Sequence, residues 1–329
     1  MIGGELHKLH QRLAAHDGER MLCLATTANV NNPPLLVGSA RLADGALAGN
    51  LILRDATLLP ALVDQFDDIV SVFFVDCEVK AHVDLASAAR AAIALQKLHF
   101  FKPNDFTVEA ADEWIAQRVP DPIDARVALI GAGNVGAKLS LRLAERGCEV
   151  RLVGRRADSL EATVRGLGAI MRGAGSIVAT TDIAAACADA RLIVGCTPGT
   201  PAVDAAALPA AGNALLLDIG NGCFSPGAIA AALERGLMIE VLSPTAGWEG
   251  FVRRYSATRK LQQGLGRRRL DNGVWIVSRG VMGSAGDVLV DDVSRPGRII
   301  GICNGMGDLL YGEEAMQRMK YVEKCLGIV

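Results

Sequence analysis

Gly131, Gly133 and Gly136 stand in the spacing G-x-G-x-x-G. They lie between an apolar run at 127–130 and a helical pattern carried by Val135, Leu139 and Leu143. The chemistry open to such a stretch is capture of a dinucleotide pyrophosphate. The first glycine permits a tight turn, the second lets backbone approach the phosphates, and the third lets the helix pack on the strand. Asn134 and Val135 open the helix, whose unpaired N–H groups and positive dipole end suit an anion. Further on, where an acidic residue usually holds a ribose 2′-OH, the chain has Gly154, Arg155 and Arg156. Arginine matches a 2′-phosphate in charge and geometry, so the expected cofactor is NADP. Asp158 lies slightly too far along to be the usual ribose ligand.

In open α/β sheets, ligands bind beyond the carboxyl ends of the strands. Two more loops meet that condition. One carries Cys196, Thr197 and Pro198 after the run 192–196; the other carries Asn221 after the run 215–219. Their small residues would let a nicotinamide ring and its ribose lie against backbone. For proton transfer, the loop after the run 69–75 is the densest ionisable cluster of the first third, with Asp76, Cys77, Glu78, Lys80, His82 and Asp84. Lys80 is the candidate general acid, or the group that holds a substrate carbonyl or carboxylate. Asp105, in a second loop with Lys102 and Asn104, is the alternative catalytic group. His7, His10 and His16 lie on or near a short amphipathic helix with no Cys or carboxylate at metal-ligand spacing, so they read as surface residues and no metal site is expected.

The elements that must position these groups alternate between strand and helix. Residues 1–20 form a short helix with Leu6, Leu9 and Leu13 on one face; 21–25, 35–38 and 69–75 are strands; 43–45 is a turn; and Asp84 caps an Ala-rich helix. Residues 102–105 read as a loop, followed by a helix through Trp114 and Ile115. Two prolines in 119–122 mark the best domain boundary. Beyond it, six strands beginning at 127, 149, 177, 192, 215 and 238 predict a doubly wound sheet in the order 3-2-1-4-5-6. The fold class is thus α/β: a Rossmann doubly wound parallel sheet over 123–250, preceded by a smaller α/β substrate domain over 1–122. Residues 251–329 form a C-terminal extension, with strands at 274–277 and 299–303. Its terminal helix, carrying Leu309, Met316, Met319, Val322 and Leu326, is expected to pack back across the cleft.

The chain has 329 residues, 50% hydrophobic and 21% charged, with a formal charge of −2. A sizeable core is available, and nothing favours nucleic acid or an anionic membrane as partner. The one dense basic run, 267–269, reads as a solvated loop. Eight cysteines without a C-x-x-C pair, mostly in apolar runs, read as reduced core thiols of a cytoplasmic protein. The first residues lack a signal-peptide pattern, and no apolar stretch is long enough to span a bilayer. A homo-oligomer is the base-rate expectation.

An N-terminal α/β domain followed by a Rossmann domain resembles the amino-acid-dehydrogenase-like group. That group includes shikimate dehydrogenases, methylene-tetrahydrofolate dehydrogenases and NADP-dependent methylene-tetrahydromethanopterin dehydrogenases. The likeness lies in 127–156, 192–201 and 215–222. Residues 196–201, Cys-Thr-Pro-Gly-Thr-Pro, resemble the A-T-P-x-G-M loop of the shikimate enzymes. Residues 70–98 resemble the corresponding piece of the methanopterin enzymes. In the shikimate enzymes a catalytic lysine and an N-T-D motif lie in the first domain; Lys80 and Asn104–Asp105 would take those slots, although the surrounding residues differ. The resemblance implies an NADP-dependent oxidoreductase that moves a hydride between nicotinamide and a small molecule in the interdomain cleft. Oxidation of an alcohol needs a base, whereas a methylene-tetrahydropterin needs none. With no evident acid–base pair, a methylene-tetrahydropterin is the expected substrate. The alternative is a shikimate-like or amino- or hydroxy-acid dehydrogenase. A third reading is a non-catalytic NADP-binding protein, serving as a sensor or as a subunit in an assembly.

Overall fold

The computed structural model describes residues 2–29, 31–210 and 214–328. The chain divides into two compact units, one up to Phe251 and one from Val252 onward.

The first unit holds two sheets. Helix α1 (Ile2–Ala14) leads into β1 (Arg20–Thr26), β2 (Leu35–Ala43) and β3 (Ala46–Leu53). Helix α2 (Leu59–Phe66), β4 (Val72–Asp76), α3 (Leu85–Ala92) and β5 (Leu98–Phe101) follow. The strand order is β2-β3-β1-β4-β5, with only the β2–β3 hairpin antiparallel. The turn at 43–45 joins that hairpin as expected. β3 itself carries Gly and Asn inside a weak apolar pattern, and pairing on both edges makes it a strand. Leu47, Leu51 and Leu53 of β3, with Leu22 and Leu24 of β1 and Phe73 and Val75 of β4, form one apolar cluster with Leu9, Leu13, Leu59 and Leu85 of the helices. The alternate residues, among them Cys23, Ala25, Ala48 and Asn50, point to the other face.

Helix α4 (Pro103–Arg118) starts directly after β5, so the loop expected at 102–105 is a helix start. Lys102 takes the N-cap position and Pro103 the first turn, where its fixed φ and missing N–H are tolerated. The second sheet runs through β6 (Arg126–Ile130), α5 (Asn134–Glu145), β7 (Glu149–Val153), α6 (Ala157–Ile170) and β8 (Ser176–Thr180). It continues through α7 (Ile183–Cys187), β9 (Leu192–Gly195), β10 (Leu215–Asp218), α8 (Pro226–Glu234) and β11 (Met238–Val241). All its neighbours are parallel, in the order β11-β10-β9-β6-β7-β8, which is the expected 3-2-1-4-5-6. Side-chain caps start the helices where small polar residues precede them: Asp84 accepts from the Ser87 N–H, Asp182 from Ala185 and Ser225 from Ala228. Helix α9 (Thr245–Gln263) follows.

The second unit is a five-stranded sheet of β12 (Arg267–Arg269), β13 (Trp275–Ser278), β14 (Val288–Val290), β15 (Ile299–Cys303) and β16 (Leu309–Leu310), closed by α10 (Glu313–Leu326). Two expectations change here. The basic run is a strand antiparallel to β13, and Arg267 is fixed by the buried Asp287 and lies 4.1 Å from the Trp275 ring centre. Leu309 pairs with Cys303 in the sheet and is not part of the terminal helix. Val322, one of the helix residues named from the sequence, is buried in this unit's own core with Ala315, Ile276 and Ile302.

No helix among the described residues is long and apolar enough to cross a membrane. The cysteines are free thiols; Cys77 and Cys325 are exposed, Cys196 is half-buried and the other five are buried.

Candidate functional site

The turn after β6 is built by its glycines. Gly131 has φ +114°, and a Cβ there would lie 3.1 Å from the Cys196 carbonyl carbon. Only glycine meets both conditions. A Cβ on Gly136 would sit 1.9 Å from the Gly131 oxygen, so this glycine lets α5 start against the turn. Gly133, the N-cap of α5, is different: nothing lies within 4 Å of a Cβ placed on it. The backbone there opens onto free space, the condition for a phosphate to approach it. The fit to a pyrophosphate is therefore good.

Two cavities meet at this turn. One, of about 730 Å³, is lined by Gly131, Gly154, Arg155, Arg156 and Thr197. The other, of about 700 Å³, is lined by Asn134, Val135, Asn221, Glu78 and Lys80. Gly133, Cys196 and Pro198 line both. The guanidinium groups of Arg155 and Arg156 are exposed and make no hydrogen bond or ion pair among the described residues. Asp158 does not line that cavity. The sequence-derived cofactor residues are thus brought together, Gly136 standing behind the turn as a packing residue.

Residues 126–237 match the family model described as the NAD binding domain of 6-phosphogluconate dehydrogenase. The chain carries an NAD-binding Rossmann domain. No curated protein matches the chain in sequence. Among solved structures, it is similar to quinate dehydrogenase from Corynebacterium glutamicum in complex with NAD, at 16% identity over 70% of this chain and 89% of that one, with a TM-score of 0.44. It is also similar to shikimate 5-dehydrogenase from Thermus thermophilus in complex with NADP(H) and shikimate, at 16% identity over 70% and 90% with a TM-score of 0.41. L-tryptophan dehydrogenase from Nostoc punctiforme gives 15% identity over 74% and 75%, with a TM-score of 0.43.

The second cavity lies along the first sheet's open face. Asp76, at the end of β4, is fully buried. It accepts hydrogen bonds from the Thr26 N–H at 3.0 Å and Thr26 hydroxyl at 2.9 Å, and from the Glu78 N–H at 2.8 Å. The Lys80 ammonium donates to it at 2.7 Å and lies 3.3 Å from Glu78. Lys80 is held on a tight excursion, bridged to Val83, with Ala81 and His82 at positive φ. Its ammonium is therefore fixed by a buried carboxylate at the wall of an open cavity.

Asp105 is placed otherwise. Its carboxylate meets Lys102 at 2.6 Å and Lys138 of α5 at 2.5 Å, and it does not line the cavity. Burial works to raise its pKa, but the hydrogen bonds from Lys102 and Lys138 outweigh it and hold the carboxyl below the usual range. The expected alternative catalytic group is thus engaged by two lysines and stands outside the cavity lining. The cluster near Lys80 was visible in the sequence, but Lys138, which also lies 3.7 Å from Glu78, was not. Neither were Arg41 and Asn50, which line the same cavity. Their only signal is period-2 alternation in β2 and β3, which needs the register to be read.

The described residues contain no group of three or more His, Cys, Asp or Glu that could hold a metal ion. An aromatic cluster of Phe74, Phe101, Phe106, Trp248 and Phe251, with ring centres 5.0–6.2 Å apart, reaches the cavity through Phe101, Phe106 and Trp248. Burial lowers the pKa of His99 beside it.

Proposed function

We propose that this chain is an NADP-dependent oxidoreductase acting on a hydroxyl or carbonyl group, with residues 1–122 supplying the substrate wall and residues 123–250 the cofactor site. The carrying observation is the Lys80 ammonium, held 2.7 Å from the buried Asp76 in a cavity that reaches Gly133 and Asn134. The methylene-tetrahydropterin expectation depended on the lack of an acid–base pair, and the Lys80–Asp76 pair removes that ground.

The phosphates would be held by the N–H groups opening α5 and the backbone at Gly133, and the 2′-phosphate by Arg155 and Arg156. The nicotinamide would lie by Cys196, Thr197, Pro198 and Asn221. When bound, it gives or takes the hydride. Lys80 moves the proton. In reduction its ammonium gives a proton to the carbonyl oxygen as hydride reaches the carbon. In oxidation the neutral amine takes the hydroxyl proton as hydride leaves. Asp76 keeps the amine aimed at the cavity. The aromatic cluster limits water at the cavity wall.

The test is steady-state kinetics over a panel of alcohols and carbonyls with NADP and NADPH. Lys80→Met should lower kcat by about 10²- to 10⁴-fold while NADPH affinity is kept. An unchanged kcat, with the protein folded, would refute the assignment.

A further inference from the structure

The open face of the first sheet carries one charge, Arg41, with no partner among the described residues. Arg41 of β2 pairs in register with Ala48 of β3, so both point to the cavity face, and both line the cavity. The Arg41 side chain is half-buried, yet it makes no hydrogen bond or ion pair among the described residues. Its electrostatic effect falls on the thiol of Cys23, which burial pushes up and Arg41 pulls down. Glu78 is the one carboxylate among the described lining residues. It is already engaged by Lys80 at 3.3 Å and by the Asn104 N–H at 3.2 Å. The cavity floor around Arg41 is made of small or neutral side chains: Cys23, Ala25, Ala48 and Asn50. A guanidinium on a strand, facing a roomy pocket whose one lining carboxylate is already engaged by Lys80, is suited to gripping an anionic ligand group.

The register also fixes where that anion sits relative to the reacting end. Ala48 pairs with Met21 and Met21 with Val72, four residues before Asp76. Arg41 and Asp76 are therefore separated by three strand spacings across the sheet and four residues along it. That is roughly 19 Å between their α-carbons. The long side chains of Arg41 and Lys80 cover part of this distance. A two- or three-carbon hydroxy acid does not bridge the rest, whereas a cavity of about 700 Å³ accommodates a longer molecule.

We infer that the substrate is an elongated anion whose carboxylate or phosphate seats on Arg41, with its reacting carbon at the opposite end beside Lys80. This inference rests on the reading of Lys80 given above only for the position of the reacting end; the anion seat stands on Arg41 itself.

The experiment uses the full chain loaded with NADPH. Binding of 8-hydroxyoctanoate, 8-hydroxyoctyl phosphate and the neutral methyl 8-hydroxyoctanoate is measured by calorimetry, with 3-hydroxybutyrate as the short control. At least one long anion should bind roughly ten- to hundredfold tighter than the ester, the scale of one charge-assisted contact. The tighter of the two anions names the group. Arg41→Met should abolish that preference and leave the ester's affinity unchanged; Arg41→Lys should retain part of it. Thermal melts of both variants establish that they fold, and Arg41→Gln replaces Arg41→Met if the latter does not. Equal affinity for ester and anions, a preference that survives loss of the charge, or tighter binding of 3-hydroxybutyrate would overturn the inference. NADP reduction by the same compounds is read separately. An Arg41-dependent anion preference without any turnover leaves the anion seat standing and removes the redox assignment of Lys80. Turnover of the ester and the anion at equal affinity does the reverse.

Discussion

Gly133 and Gly136 are three residues apart in one motif, and the structure assigns them separable tasks. A methyl group on each should therefore break different things. At Gly136 the added Cβ would lie 1.9 Å from the Gly131 oxygen, 2.9 Å from Leu129 Cδ2 and 3.1 Å from the Gly131 carbonyl carbon. Two of these are backbone atoms, which cannot swing aside. Relief needs a shift of roughly 1 Å between the start of α5 and the turn, and overpacking of this kind costs about 1–3 kcal/mol. In a unit this size that is roughly 3–10 °C in Tm. At Gly133 the Cβ meets nothing within 4 Å, and φ is −77°, open to any residue. Gly133→Ala should leave Tm within about 2 °C, because a poorer N-cap and a stiffer unfolded chain nearly cancel. It should weaken NADPH about tenfold or more, since the methyl occupies the space a pyrophosphate needs. Differential scanning calorimetry gives the first quantity and NADPH fluorescence titration the second. If Gly136→Ala melts like wild type, or Gly133→Ala binds NADPH normally, the steric reasoning for this turn is wrong.

Other consequences can be tested in parallel. Replacing both Arg155 and Arg156 by alanine should weaken NADPH by about ten- to hundredfold per lost contact and leave NADH nearly unchanged; equal losses would mean the arginines act through structure. In the second unit, burial works to raise the Asp287 pKa, but the hydrogen bonds from Arg267 and the Ser284 N–H outweigh it and hold the carboxyl low. Its folded pKa thus lies below the unfolded value of about 3.9. The stabilisation is fully present above that value and is lost as pH falls through the folded pKa. Asp287→Asn should destabilise the protein near neutrality and flatten the acid limb of urea-melt stability between about pH 5 and 2; parallel curves for the two proteins would contradict this. Thiol titration of the native protein should label Cys77 and Cys325 first. Burial pushes Cys148 up to about 11 and Cys187 up to about 12, so both should react only on unfolding.

The sequence by itself determined the Rossmann sheet, its strand order and the phosphate turn. Those features are local: apolar runs of four or five residues, glycines at fixed offsets, and Asp or Ser caps before helices. Each is set within a βαβ unit by backbone sterics and burial. Tertiary structure decided the rest. β3 is a strand because two neighbours pair with it, and α4 starts at Pro103 because β5 ends just before it. Asp105 looked available until Lys138, in another element, closed on it. Asp76 looked like one more loop charge, yet it is fully buried and aims Lys80. Arg41 gave no signal until the sheet register turned it toward a cavity whose one lining carboxylate, Glu78, is taken by Lys80. Sequence spacing fixes which groups a single element presents. Which charges find partners, and which stay free for a substrate, depends on distances between elements that no local pattern encodes.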